Sequence, residues 1–182
     1  MTALEITLRG AQVLTPEGLS ICDLSLSGGR IADTPQGRIV DLTDYMILPG
    51  IVDVHGDGFE RHLAPRRGAM KDLAQGMIAT EAELAANGIT TAVLAQFYSW
   101  EGGMRGPEFA DQVFAALAEV RDHVETDLHA QLRFEISLLD DYGAVEDMVA
   151  RHGIGYLVFN DHLPHKALAA RKRPQGLTGQ AL

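Results

Sequence analysis

The sequence predicts an α/β protein, a parallel sheet with crossover helices preceded by a small all-β subdomain. Two observations predict it. Up to about residue 45, short alternating segments are cut by turn signals, as in hairpins. From about residue 46, strand and helix patterns alternate as βαβαβαβ, and that order requires parallel pairing through helical crossovers.

In the first part, Leu4-Glu5-Ile6-Thr7-Leu8 alternates apolar and polar positions. Gly10, Thr15-Pro16-Glu17-Gly18 and Ser27-Gly28-Gly29 punctuate it. Ile21–Leu26 and Arg30–Asp33 face each other across Gly28-Gly29 as a predicted hairpin. In the second part, the first strand is expected over Met46–His55 and a helix over roughly Ala69–Asn87, stopped at Asn87-Gly88. Gly88–Ala95 is the second strand, with Phe97, Tyr98 and Trp100 in the loop after it. Pro107-Glu108 opens a helix whose apolar stripe is Phe109, Val113, Phe114, Leu117, Val120 and Val124. Leu128–Ser137 is the third strand. Asp140-Asp141 can cap a helix carrying Val145, Met148 and Val149, which Gly153 closes. Ile154–Phe159 is the fourth strand. The organisation expected is 1–46 as the β subdomain, 47–165 as four β/α units and 166–182 as a loop or disordered tail.

Composition bounds the function. The 182 residues are 46% hydrophobic and 22% charged, which is ordinary for a globular protein. No stretch reaches the ~20 apolar residues a membrane helix needs. The start lacks a basic segment followed by an apolar one, and the single Cys22 excludes an internal disulfide, so a cytoplasmic location is expected. The net charge of −10 argues against nucleic-acid or anionic-membrane partners. Two basic clusters, Arg61 to Lys71 and His162 to Arg173, are compatible with an anionic small-molecule substrate, or with nothing more than a solvated surface.

The residues that carry chemistry lie at strand ends. Ile47-Leu48-Pro49-Gly50-Ile51-Val52-Asp53-Val54-His55-Gly56-Asp57 delivers His55 and Asp57 two positions apart, which on a strand share a face. Glu135 sits inside an apolar parallel strand, where a carboxylate must be paired, ligated or exposed at the end. Its alternatives are a metal, or an ion pair with Arg133 or His129. Asp161 and His162 follow the fourth strand, as site residues or as a loop cap and a surface histidine. Three strands thus bring ligand-type residues to one edge of the sheet, where α/β folds place their sites. Gly102-Gly103-Met104-Arg105-Gly106 lacks the Gly-Lys-Ser/Thr ending of a phosphate loop.

The small β subdomain followed by Leu48-Pro49-Gly50-Ile51-Val52-Asp53-Val54-His55 and Gly88-Ile89-Thr90-Thr91 resembles the amidohydrolase superfamily. His55-Gly56-Asp57 replaces the usual His-x-His. Together with Phe59–Arg66, Leu132-Arg133-Phe134-Glu135 and Asn160-Asp161-His162-Leu163-Pro164, it resembles the alpha-D-ribose 1-methylphosphonate 5-triphosphate diphosphatase family of the carbon–phosphorus lyase pathway. The resemblance implies the N-terminal half of a TIM-type (β/α)8 barrel, preceded by a small β-sandwich-like subdomain, and a metal-dependent hydrolase that releases pyrophosphate. It implies His55, Asp57 and Glu135 as ligands of a divalent metal (Zn, Mn or Mg), with Asp57 favouring a harder ion than an all-His site would. Glu135, Asp161 and His162 are the implied catalytic residues. Arg66, Arg67 and Lys166 are candidate contacts to an anionic substrate.

Two other readings stand beside this one. The first is an amidohydrolase cleaving a C–N bond in a cyclic amide or N-acyl substrate, and the second is a non-catalytic half-barrel that binds a ligand. A barrel needs eight strands and this chain supplies four. The chain alone is therefore expected to lack activity, and to self-associate through its open edges or to need a missing C-terminal half.

Overall fold

The computed structural model describes residues 4–63 and 72–172. The chain divides into two compact units, Met1–Pro49 and Gly50–Leu182.

The first unit is one five-stranded sheet. β1 (Ile6–Thr15) and β2 (Gly18–Ser27) are antiparallel, and β3 (Arg30–Ala32) extends the hairpin from β2. The pairing Ser27↔Arg30 leaves Gly28 and Gly29 as a two-residue loop, both at positive φ (57° and 76°), as a primed turn requires. β4 (Arg38–Asp41) and β5 (Met46–Ile47) run parallel to β1 on its other side. The buried Thr7 hydroxyl donates to the Gln36 carbonyl at 2.9 Å and lies 3.1 Å from Ser25 Oγ, which fixes the chain after β3.

The expected strand over Met46–His55 is two strands in two sheets. β5 belongs to the first unit, and β6 (Ile51–Gly56) opens the second. Pro49 has no N–H for a ladder, and it separates the two strands. Gly50 passes so close to Thr90 that a Cβ there would run into the Thr90 side chain.

The second unit is an open half-barrel, with parallel strands in the order β6-β7-β8-β9. A short helix α1 (Glu60–Leu63) and the longer α2 (Leu73–Ala86) lead to β7 (Ile89–Tyr98). α3 (Pro107–Val120) leads to β8 (Asp127–Glu135), and α4 (Tyr142–His152) to β9 (Tyr156–Asn160). α5 (His165–Ala169) adds one turn of helix at the start of the segment after β9. Asp72 caps α2, its carboxylate accepting from the N–H groups of Ala74 and Gln75 at 3.0 and 3.4 Å. The Asp140-Asp141 cap expected for α4 makes no side-chain bond. A 3₁₀ turn over Leu139–Asp141 precedes that helix instead.

Period two sorts each strand. Leu128, Ala130, Leu132 and Phe134 of β8 pack with residues of α3 and α4, so Gln131, Arg133 and Glu135 lie on the opposite, inner face. In β7, Ala92, Leu94 and Tyr98 join the helix-side core. Phe97 and Tyr98, expected in a loop, are the last residues of this longer strand. No helix among the described residues is long and apolar enough to cross a membrane.

Candidate functional site at the C-terminal rim of the parallel sheet

Glu135 is the last residue of β8, and no part of it reaches solvent. Its register partner is Asn160, the last residue of β9, so the chain leaving β9 passes directly over it. There the His162 N–H donates to Glu135 Oε2 at 3.1 Å, and His162 Nδ1 meets Oε1. The His162 ring is half exposed and lies 6.1 Å from the Phe97 ring. The structure therefore brings together two of the three predicted catalytic residues, from strands three and four. The ion-pair partners considered for Glu135 are engaged elsewhere: His129 pairs with Asp127 at 2.9 Å and Arg133 with Asp57 at 3.8 Å.

A buried carboxylate against one ring nitrogen holds an imidazole in one orientation and stabilises its protonated form. Nε2 of His162 accepts and donates no hydrogen bond among the described residues. It is the atom at which a proton could pass to or from a substrate.

Asp161 turns to a different partner. Its Oδ2 lies 2.6 Å from His165 Nε2, and its Oδ1 accepts the Leu163 N–H at 3.3 Å. The hydrogen bond from His165 holds its carboxyl below the usual range. Lys166 is exposed on α5, while Arg66 and Arg67 lie outside the described residues.

At β6 the ladder shifts register between Asp53 and Gly56, and Asp57 lies one residue past the strand end. The spacing argument that puts His55 and Asp57 on one face assumes a regular strand, so it does not carry across this irregularity. The His55 backbone N–H donates to Asp53 Oδ1 at 3.0 Å, and its side chain is exposed. Among the described residues no three of His, Cys, Asp and Glu come together as a metal-holding group. His55, Asp57 and Glu135 are suitable donor types. As arranged, though, Glu135 is taken by His162 and Asp57 faces Arg133, so the three do not fit a metal.

Sequence reasoning missed Glu60. It opens α1 three residues past Asp57, and its buried Oε1 has no partner among the described residues. Burial pushes its carboxyl pKa up. The Arg105 charge opposes that shift and Asp57 adds to it. Its position within Phe59-Glu60-Arg61-His62, straight after the His-Gly-Asp run, was the available signal. Arg133 was read only as a possible partner for Glu135. Its guanidinium lies 4.0 Å from the Phe97 ring centroid, and that of Arg105 lies at 4.5 Å. Burial pushes the Tyr98 hydroxyl up to about 12, which removes it as an acid–base group near neutral pH.

No family model matches the chain. Three allantoinases do match segments of it. The one from Deinococcus radiodurans is 37% identical over 59 residues, 29% of this chain and 13% of the relative. The one from Streptomyces avermitilis is 38% identical over 63 residues, 30% and 14% of the two chains. The one from Enterococcus faecalis is 29% identical over 91 residues, 48% and 19%. This distant similarity agrees with the resemblance to the amidohydrolase superfamily seen in the strand-end motifs. The matched segments span less than a fifth of each relative. A metal-binding group is not assembled among the described residues.

Proposed function

We propose that this chain contributes four strands and a rim to an amidohydrolase that cleaves a C–N bond in a cyclic amide or N-acyl substrate. The observation that carries the reading is the buried Glu135 carboxylate seated on His162 at the strand ends. The similarity to allantoinases supports a C–N substrate over a phosphoanhydride. In this reading His162 takes a proton from the attacking water and returns it to the departing nitrogen, and Glu135 stabilises the charged ring between those events. His55 and Asp57 remain candidate metal donors, and their ligand set would require a rearrangement of the rim or groups other than those described. The acid–base step is assigned to Glu135 and His162 without that metal.

A second reading, pyrophosphate release from a ribose triphosphate, is favoured by the His55-Gly56-Asp57 run and by Arg133 and Arg105 stacked on Phe97 at the same rim. Arg66, Arg67 and Lys166 would then join them as anion contacts. Parallel assays of the purified chain, with divalent metal added, decide between the two. Opening of a cyclic amide that drops by about 10²-fold or more in His162→Gln supports the C–N reading. Pyrophosphate release with no amide turnover replaces it with the second. A folded chain that turns over neither substrate and takes up no divalent metal points to the non-catalytic binding module.

A further inference from the structure

Arg133 is a largely buried cation whose donors meet no acceptor among the described residues. It stands on the inner face of β8, two residues before Glu135, and its register partner is Phe97 of β7. The guanidinium lies over the Phe97 ring, 4.0 Å from its centroid, and the side chain is 14% exposed. Its Nε is enclosed and has no partner among the described residues. Its ion pair is with Asp57, which follows β6 and so reaches over β7 to meet it. Nη1 and Oδ2 are 3.8 Å apart, beyond hydrogen-bond reach. Neither side chain makes a hydrogen bond elsewhere among the described residues. A guanidinium withdrawn from water with unmatched donors is costly until an acceptor fills the gap.

That gap has a shape. It sets one donor beside one acceptor, and Asp57 is 65% exposed, so the gap is open to a ligand. Arg105, the other cation over Phe97, is bonded to Glu101 at 2.8 Å, and the Arg133–Asp57 pair carries no net charge. Glu60 faces the same group, and any charge it keeps is negative. A neutral polar group suits this place better than an anion. An amide held cis presents its N–H and C=O side by side on one edge, so its oxygen can accept from Arg133 while its nitrogen donates to Asp57. A small ring enforces the cis form. Open-chain secondary amides are overwhelmingly trans, and their two groups point opposite ways.

We propose that Arg133 and Asp57 bind the cis-amide edge of a cyclic amide, and so select it over an open-chain N-acyl substrate. The inference rests on the C–N reading of the rim and narrows its substrate class. Phe97 joins the two parts of the rim, since Arg133 lies over its ring and the His162 ring is 6.1 Å from it. A carbonyl oxygen on Arg133 is also polarised by the guanidinium, which places positive charge where an oxyanion develops.

Ligand-observed NMR titrations of the full chain test it, with a chelator present so that Asp57 is left to the amide. Three probes are compared. 2-Piperidone has the cis edge, N-methyl-2-piperidone lacks its N–H, and N-ethylacetamide is an open-chain trans amide. The expected result is 2-piperidone bound about tenfold or more tighter than either of the others, the scale of one hydrogen bond to a charged group. Asp57→Ala and Arg133→Met should each abolish that preference, with unchanged far-UV circular dichroism showing that they still fold. Equal affinities for the three probes overturn the proposal, as does no binding of 2-piperidone or a preference that survives Asp57→Ala. If Arg133→Met misfolds, Asp57→Ala, at an exposed position, provides the comparison by itself. The C–N reading fails separately. A lactam preference without turnover of any amide leaves the recognition standing and removes the hydrolysis. Turnover of an N-acyl substrate without a lactam preference keeps the hydrolysis and overturns the recognition.

Discussion

Glu135 and His162 lie 27 positions apart in sequence and share two contacts, backbone N–H to Oε2 and ring Nδ1 to Oε1. One is fully buried at the end of a strand and the other is half exposed in a loop. The carboxylate thus ties the segment after β9 to the end of β8, and it orients the His162 imidazole, whose Nε2 makes no hydrogen bond among the described residues.

Glu135→Gln tests both roles. The amide keeps the shape and loses the charge, so a charge-assisted pair is replaced by weaker or unmatched groups. A loss of about 1–3 kcal/mol in folding stability is expected from denaturant melts. Turnover should fall with it. A variant that melts like the wild type would show that the pair is not formed in solution.

Gly76 lies where α1 crosses α2. A Cβ there would sit 2.8 Å from the His62 carbonyl oxygen and 2.9 Å from Leu63 Cδ2. Alanine gains up to about 1 kcal/mol of helix propensity over glycine. Against that, a backbone carbonyl cannot swing aside as a side-chain tip can, and Leu63 is buried in the core. Gly76→Ala is expected to lower the melting temperature despite the better helix former. A rise would mean that α1 moves away freely.

Glu60 predicts a stability gain. Its folded pKa is raised by burial, so between the unfolded carboxyl value and the folded one the native state binds more protons than the unfolded state. Stability therefore falls as pH rises through that window, and at neutral pH the buried charge is a net cost. Glu60→Gln should be more stable than wild type at pH 7 and lose that advantage below pH ~4. Thermal melts at the two pH values read this directly.

Asp161 has the opposite sign. Its carboxyl is lowered from 3.8, chiefly by the hydrogen bond from His165. The stabilisation is present above the unfolded pKa and disappears as pH falls through the folded one. Asp161→Asn should be less stable than wild type above about pH 4 and converge on it as pH falls through the folded pKa. A variant as stable as wild type at pH 7 would show that the bond from His165 does not form in solution.

How much of this was legible in sequence depends on distance along the chain. The Gly28-Gly29 hairpin, the apolar stripe of α3 and the stop of α2 at Asn87-Gly88 follow from turn stereochemistry and from the 3.6-residue period, which act over a few residues. The parallel order and the gathering of Glu135 and His162 at one edge follow from alternation of strand and helix. The break at Leu48-Pro49-Gly50 was written in the proline, yet the continuous apolar run obscured it.

The sequence by itself determined which segments are strands and helices, and that acidic and imidazole side chains end three of the four parallel strands. Only the tertiary structure decided who pairs with whom. Glu135 chose His162 over Arg133 and His129, Arg133 turned to Phe97 and Asp57, and a register shift in β6 undid the spacing argument for His55 and Asp57. Period and propensity are properties of neighbours in the chain. The partner of a buried charge is set by desolvation, which penalises every arrangement that leaves it unpaired and so depends on what the whole sheet brings within reach.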